Sequence, residues 1–167
     1  MRRVQAFGWA GVLAAAVLPP LYAALVRHNL RKNIERFSAR EPEPLLRSYA
    51  KDVRFVFPGE SSWRADVRGR EEVERWQRRY LECGLQMEPG EVLVAGPPWN
   101  TRVALRFRDH LTDPDGVLVH ENEGVVYGTI VWGKVKFYTV YEDTQKLPPL
   151  DEYLAAAGSV PRQGHAN

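Results

Sequence analysis

From Glu91 to Glu142 the sequence alternates between apolar and polar residues in four runs, and this period-two pattern constrains the fold more than any other feature. Alternation of this kind puts successive side chains on opposite faces of an extended strand. In the second run Val103, Leu105 and Phe107 share one face, while Arg102, Ala104, Arg106 and Arg108 share the other. Turn-forming residues separate the runs. The pattern predicts an antiparallel sheet with one buried face, built from strands at Glu91–Ala95, Arg102–Leu111, Val117–Ile130 and Lys134–Glu142.

Helices are predicted upstream of this sheet. A helix from Arg70 to Cys83 carries an apolar stripe of Val73, Trp76 and Tyr80, and a helix from Arg27 to Ala39 carries one of Leu30, Ile34 and Phe37. A short helix and the strand Val53–Phe57 lie between them, and Pro58 with Gly59 stops that strand. The stripes should pack on the apolar face of the sheet. We therefore predict an α+β domain over residues 28–157, followed by a disordered tail over 158–167.

An uncharged run, Ala6–Val26, precedes the domain and is 21 residues long. A helix needs about 20 apolar residues to cross the hydrocarbon core of a bilayer. We therefore predict one transmembrane helix within residues 1–27, which makes the membrane a binding partner. A cleaved signal peptide and a soluble helix remain open as alternatives. Five Lys or Arg residues follow the run within 15 residues and two precede it, which favours a cytoplasmic domain.

The composition excludes several classes of partner. The 167 residues include 23 Lys plus Arg and 21 Asp plus Glu, so the net charge of +2 gives no general attraction to nucleic acid. Cys83 is the only cysteine in the sequence, so no disulfide can form within the chain. The four histidines are scattered and provide no zinc-type spacing with it. We expect neither a metal nor an organic cofactor.

Four short motifs in this order resemble the SnoaL-like branch of the nuclear transport factor two-like superfamily. They are Asp52–Phe55 with Pro58–Gly59, then Gly69–Glu71, then Gly133–Val135 and finally Tyr141–Thr144. The resemblance covers about residues 28–147. It implies a cone-shaped α+β barrel, in which a curved sheet wraps round helices and leaves a mostly apolar pocket for a hydrophobic small molecule. It also implies a homodimer formed through the outer face of the sheet. The superfamily includes isomerases, cyclases, dehydratases, epoxide hydrolases and non-catalytic binding modules, so the fold alone does not fix the function.

The positions that carry catalysis in the ketosteroid isomerases of this superfamily do not match here. The proton-shuttling carboxylate of those enzymes stands directly before the proline of the bend, and Phe57 occupies that position. Their oxyanion-hole tyrosine falls at Asn33, which matches it only loosely. Their third group, a protonated acid, falls near Val125 or Val126. The resemblance therefore disfavours steroid isomerisation by that mechanism.

Other residues are candidates for acid–base chemistry. Asp109 continues the parity of the apolar face of its strand and should point into the pocket, where burial would raise its pKa. Glu121 and Glu123 share a face with Val125 and should reach the mouth of the cone, unless a bulge turns His120 inward instead. A solvated position at a strand end or on the outer face is the open alternative for all of these polar residues.

The remaining candidates are pocket walls, namely Asn33, Phe57, Trp63, Trp76, Tyr80, Phe107, Tyr127 and Tyr138. Two functions are consistent with this set of residues. One is a membrane-anchored enzyme that acts on a hydrophobic small molecule without a cofactor, of the isomerase, cyclase, dehydratase or hydrolase type. The other is a membrane-tethered module that binds a ligand or assembles with a protein and carries out no chemistry.

Overall fold

The structure is a computed structural model, and it describes the backbone of residues 9–158 and the side chains of residues 20–158. Four helices and one 3-10 turn accompany a single six-stranded sheet in this part of the chain. The helices are α1 (Trp9–Ser38), α2 (Glu43–Ser48), α3 (Arg70–Glu82) and α4 (Leu147–Ala156), the last preceded by the 3-10 turn Thr144–Lys146. The strands are β1 (Tyr49–Phe57), β2 (Ala65–Arg68), β3 (Gln86–Ala95), β4 (Thr101–Thr112), β5 (Leu118–Val131) and β6 (Lys134–Glu142).

The sheet has the order β2-β1-β6-β5-β4-β3, and only the β1–β6 pair is parallel. The register shifts in four of the five strand pairs, for example between Pro89 and Val92 in β3 and between Thr129 and Ile130 in β5. Such irregularities bend a strand and increase its twist. The sheet is curved and unclosed, and the helices lie against it. This α+β architecture is consistent with the predicted cone.

The apolar face of the sheet and the apolar stripes of the helices form the core. Val103, Leu105 and Phe107 are all buried, as the alternation in β4 predicts. Ile34 and Phe37 of α1 are buried as well, so that helical stripe is confirmed. The α3 stripe is confirmed by Val73, Trp76 and Tyr80, of which Val73 and Tyr80 are buried and Trp76 is partly buried against the core, and Gly84 takes the left-handed conformation that ends this helix.

The predicted transmembrane helix has no support from the structure. Within residues 9–158, no helix is both long enough and apolar enough to cross a membrane. Helix α1 includes most of the predicted span and continues without a break past Arg27, while residues 6–8 of that span lie outside the described residues. The predicted disordered tail also lies outside them, except for Gly158.

Candidate functional site

A cavity of about 100 Å³ lies between the inner face of the sheet and helices α1, α3 and α4. Its wall is mostly apolar and includes many aromatic rings. The Trp76 ring packs edge-on against Trp63 at 5.9 Å between centroids and tilted against Phe57 at 5.6 Å. The Trp76 indole also donates a hydrogen bond to the Trp63 carbonyl at 3.0 Å. These contacts hold the wall in one arrangement. The aromatic residues of the wall are Phe37, Tyr49, Phe57, Trp63, Trp76, Tyr80, Phe107 and Tyr138.

Two carboxyl groups face one end of the cavity from strands on either side of β5. Asp109 of β4 pairs with Asn122 of β5, and Glu142 of β6 pairs with Gly124 two residues further along β5. Both acids line the cavity. One carboxylate oxygen of Asp109, Oδ1, is buried and has no hydrogen-bond partner. A buried acceptor without a partner is costly, so this oxygen is available to a ligand.

Both of these acids hold their protons more tightly than usual. Burial raises the pKa of Asp109 from 3.8 to about 6, against the opposing effects of a backbone hydrogen bond and of the Lys146 charge. Burial, together with repulsion from Asp109 and Asp143, raises the pKa of Glu142 from 4.5 to about 8. At neutral pH the end of the cavity therefore holds an ionised Asp109 next to a protonated Glu142. One group can accept a proton there and the other can donate one.

His120 lies beside Asp109 in the protein interior. Its Nε2 atom is 4.0 Å from Asp109 Oδ1, and neither atom has a hydrogen-bond partner. Burial and the Lys146 charge lower the pKa of His120, which favours the neutral imidazole. A distance of 4.0 Å is too long for a direct hydrogen bond. A rotation that shortens this distance would allow a hydrogen bond between the imidazole and Asp109.

A second group of polar side chains lies on the wall formed by β1, β6 and α3. The Gln77 side-chain amide donates hydrogen bonds to the hydroxyl of Tyr49 and, at 3.2 Å, to that of Tyr138. The two tyrosine rings stack with 5.4 Å between centroids. Burial raises the pKa of Tyr49 to about 12, so its hydroxyl stays neutral. Gln77 Oε1 and the Tyr80 hydroxyl, one turn further along α3, are both buried without a partner.

Most of the predicted pocket residues lie on the cavity wall. Asp109, Phe57, Trp63, Trp76, Tyr80, Phe107 and Tyr138 line the cavity. A catalytic role for Asp109 stays a prediction. His120 is buried next to Asp109 without lining the cavity itself, and its catalytic role also stays a prediction.

Four candidate residues lie elsewhere. Glu121 and Glu123 point to the outer face, where they form ion pairs with Arg108 and Arg106. Tyr127 shares that outer face and is exposed. Asn33 is half-buried on α1 and does not line the cavity. An inward orientation of Glu121, Glu123 and Tyr127 is therefore wrong.

Glycines explain why the alternation in β5 predicts the wrong face. The inner face of β5 carries Gly124 and Gly128 where large side chains would be expected. A Cβ atom at Gly124 would lie 2.6 Å from Cζ of Phe107, and one at Gly128 would lie 3.2 Å from Cβ of Tyr138. The Phe107 ring fills the space at Gly124, and the Phe137 carbonyl, Tyr138 Cβ and a Val103 methyl group lie close to Gly128. The inner face of β5 therefore has fewer apolar side chains than the outer face.

Sequence reasoning missed three residues of the site, namely Glu142, Gln77 and Tyr49. Glu142 could have been found, because it continues the parity of Tyr138 and Val140 on β6 as Asp109 continues that of Phe107 on β4. Gln77 is a polar residue on the buried side of α3, which the apolar stripe alone does not reveal. Among residues 9–158 no group of three His, Cys, Asp or Glu side chains is arranged to hold a metal ion.

Solved structures with the same fold were found despite low sequence identity. Bal32a, from a soil-derived mobile gene cassette, is 19% identical with a TM-score of 0.63, over 78% of this chain and 97% of its own. TerC, co-crystallised with polyporic acid, is 20% identical with a TM-score of 0.61, over 75% of this chain and 96% of its own. A proposed polyketide cyclase from Sinorhizobium meliloti is 18% identical with a TM-score of 0.53, over 68% of this chain and 94% of its own.

No family model matches the sequence, and no curated protein matches it. Several of the similar structures are described as NTF2-like, the short form of nuclear transport factor two-like. The domain therefore has the NTF2-like fold. The resemblance to SnoaL-like domains that the sequence motifs indicate is confirmed at the level of the fold.

Proposed function

We propose that this domain binds an apolar small molecule with a carbonyl group and transfers protons on it without a cofactor. Asp109 would act as the base and Glu142 as the acid. One observation carries the proposal: Asp109, which has a buried carboxylate oxygen without a hydrogen-bond partner, and Glu142, whose pKa is raised to about 8, both line the same apolar cavity. Perturbed acids in a cleft of this kind are candidates for general acid–base catalysis.

The proton transfer balances within the site. The Asp109 carboxylate takes a proton from the carbon next to the carbonyl group, and the electron pair of the broken C–H bond forms the C=C bond of an enol. The Glu142 carboxyl group gives its proton to the carbonyl oxygen. Return of a proton from Asp109 to the same carbon, with return of the enol proton to Glu142, exchanges the hydrogen on that carbon. In a substrate with a C=C bond between the β and γ carbons, the enol is a dienol, and return of the proton to the γ carbon moves the C=C bond to the α and β carbons and yields an isomer. Both acids then have their starting protonation states.

The pH range of this chemistry follows from the two carboxyl groups. With a pKa of about 6 for Asp109 and about 8 for Glu142, the reactive combination is most populated between these values. Because the groups repel each other, the two apparent values belong to the pair. A bell-shaped dependence of kcat/KM on pH is therefore expected, with its maximum near neutrality.

The cavity volume limits the ligand. At about 100 Å³ it is smaller than the engineered cavity of about 150 Å³ that takes up benzene. A single-ring ketone therefore requires side chains on the wall to move. Leu147 and Leu150 of the short helix α4 form part of that wall. TerC, crystallised with polyporic acid, and the proposed polyketide cyclase support the idea that this fold can accommodate ligands larger than the present cavity.

The test is exchange of carbon-bound hydrogen for deuterium. The full chain is incubated in D₂O with cyclohexanone, 2-indanone and 2-tetralone, and deuterium next to the carbonyl group is followed by NMR. We expect exchange above the buffer rate and a loss of about 100-fold or more in Asp109→Asn. Glu123→Gln, which changes an exposed acid of the outer face, is the control. Exchange that is equal in Asp109→Asn and the unchanged protein would refute the assignment.

A second candidate is a binding module without chemistry. Phe57 favours it, because this phenyl ring lies on the cavity wall at the position where the related isomerases carry their base. In that case ketones or other apolar ligands raise the melting temperature of the unchanged protein, but no exchange above the buffer rate is seen with any of the three probes.

A further inference from the structure

Two tryptophans lie side by side on the surface at one end of the domain. Trp99 is in the turn between β3 and β4, and Trp132 is in the turn between β5 and β6. Their side chains are 59% and 69% exposed, and their ring centroids are 5.9 Å apart. The Trp132 amide donates a hydrogen bond to the Pro98 carbonyl at 2.7 Å, which holds the two turns together. Both large rings therefore stay in water without any core to cover them.

The backbone conformation at Trp132 does not favour a tryptophan, so the turn gives no reason for an exposed ring at this position. Trp132 and Gly133 form a two-residue hairpin turn, with φ angles of 49° and 76°. Turns with two positive φ angles favour Asn, Asp or Gly at the first position, and a bulky residue is strained there. An asparagine would form the same hairpin with less strain. A function at the surface accounts for a tryptophan at this position better than the turn does.

Helix α1 reaches the same end of the domain. Three hydrogen bonds give its direction: Ser38 to the Met87 carbonyl, Arg31 to the Gly90 carbonyl, and Tyr22 to the Thr101 hydroxyl. The helix therefore runs antiparallel to β3 and brings Tyr22 next to the turn that holds Trp99. It continues from Tyr22 back to Trp9, which is about 20 Å at 1.5 Å per residue.

The sequence of α1 changes character near this point. No residue from Ala6 to Val26 is charged, whereas the next part of α1, which packs on the domain, contains Arg27, Arg31 and Lys32. Leu21 and Leu25, on either side of Tyr22, are exposed. Trp and Tyr concentrate at the boundary between lipid and water, with apolar residues on the lipid side and Lys or Arg on the water side. The order of residues along α1 follows this arrangement.

We propose that this end of the domain docks on the surface of a lipid bilayer, with Trp99, Trp132 and Tyr22 at the level of the headgroups. The exposed Leu21 and Leu25 enter the same layer. In this orientation the segment of α1 that extends about 20 Å beyond Tyr22 points toward the bilayer, and binding requires no helix that crosses it. It is independent of the proposed chemistry in the cavity.

The area of the two tryptophan rings argues against a second protein chain as their occupant. A tryptophan side chain buries at most about 250 Å², so two partly exposed rings offer about 300 Å². A stable protein interface uses about 800 Å² on each partner. A lipid interface has no such requirement, because each inserted ring contributes separately.

The test compares binding of the full chain to sucrose-loaded vesicles by sedimentation. The vesicles are made of phosphatidylcholine alone, or of phosphatidylcholine with about 30% of the anionic lipid phosphatidylglycerol. The variant is the double substitution Trp99→Gln with Trp132→Gln. The matched control is Leu93→Gln with Tyr141→Gln, because these side chains are 59% and 58% exposed on strands outside the patch.

We expect the partition coefficient to fall about tenfold or more in the tryptophan variant and to change little in the control. Quenching of tryptophan fluorescence by brominated lipids should be stronger in the unchanged protein than in the variant, which keeps Trp9 at the start of α1. Circular dichroism spectra establish that both variants are folded. Equal binding of the tryptophan variant and the unchanged protein would overturn the proposal, and so would a lack of binding to either vesicle. A concentration-dependent dimer that only the tryptophan variant loses would overturn it in favour of a second copy of the chain.

Discussion

Replacement of Asp109 by asparagine should make the protein more stable at high pH, because the ionised carboxylate is buried. An acid whose pKa is higher in the folded than in the unfolded state binds its proton more tightly in the folded state. The pKa of Asp109 rises from 3.8 to about 6 on folding. The stability associated with the proton is therefore complete below about pH 4 and is lost as the pH rises through about 6.

The size of the effect follows from the same two values. The difference between 3.8 and about 6, at about 1.4 kcal/mol for each pH unit, corresponds to about 3 kcal/mol at pH 8. An asparagine side chain carries no charge, so Asp109→Asn avoids this cost. For a chain of this length the gain corresponds to an increase of about 6 to 12 °C in melting temperature. At pH 4 both side chains are neutral, and the two proteins should have similar stability.

The assay is urea denaturation of Asp109→Asn and the unchanged protein at pH 4 and pH 8. Glu123→Gln is the control, because Glu123 is exposed and its ion pair with Arg106 on the surface should contribute little to stability at either pH. The reasoning is refuted if Asp109→Asn is less stable than the unchanged protein at pH 8. It is also refuted if the difference in stability is the same at both pH values.

Two further substitutions test the packing around the site. Gly124→Ala should cost about 1 to 3 kcal/mol in chemical denaturation, because the added methyl group would lie 2.5 Å from the Tyr141 carbonyl oxygen and 2.6 Å from the Phe107 ring. A stability equal to that of the unchanged protein would contradict this contact. Asn122→Ala should cost about 1 to 3 kcal/mol, because the buried Asn122 amide donates a hydrogen bond to the Asp143 carbonyl at 3.0 Å. A loss below about 0.5 kcal/mol would contradict a structural role for this bond.

The sequence predicts the strands best where alternation is regular. The bounds of β6 agree with the prediction, and those of β4 differ by one residue at each end. Strand β3 begins five residues before the predicted start at Glu91, because Pro89 and Gly90 interrupt the apolar pattern. The structure accommodates this proline in a strand at the edge of the sheet, with a shift of register after it. The sequence pattern does not predict strand β2, because Asp66 and Arg68 give this edge strand a polar sequence.

The candidate site was partly predictable for the same reason. The alternation in β4 predicts that Asp109 is buried, and the structure bears this out. Alternation predicts the wrong buried face for β5, because glycines replace large apolar residues on its inner face. His120 therefore lies inside and Glu121 outside, opposite to the prediction. Gly124 is small because the Phe107 ring occupies the adjacent space, which is a contact between strands. Patterns within one strand carry no information about such contacts.

Titration of the two acids by NMR tests the central claim most directly. The protein is labelled with ¹³C at the carboxyl carbons of Asp and Glu, and Asp109→Asn and Glu142→Gln assign the two signals. We predict apparent pKa values of about 6 for the Asp109 signal and about 8 for the Glu142 signal. The Glu142 value should fall in Asp109→Asn, because the repulsion between the two groups is removed. Values below 5 for both acids would contradict the account, since two acids ionised in this way could not provide a base and a proton donor at neutral pH.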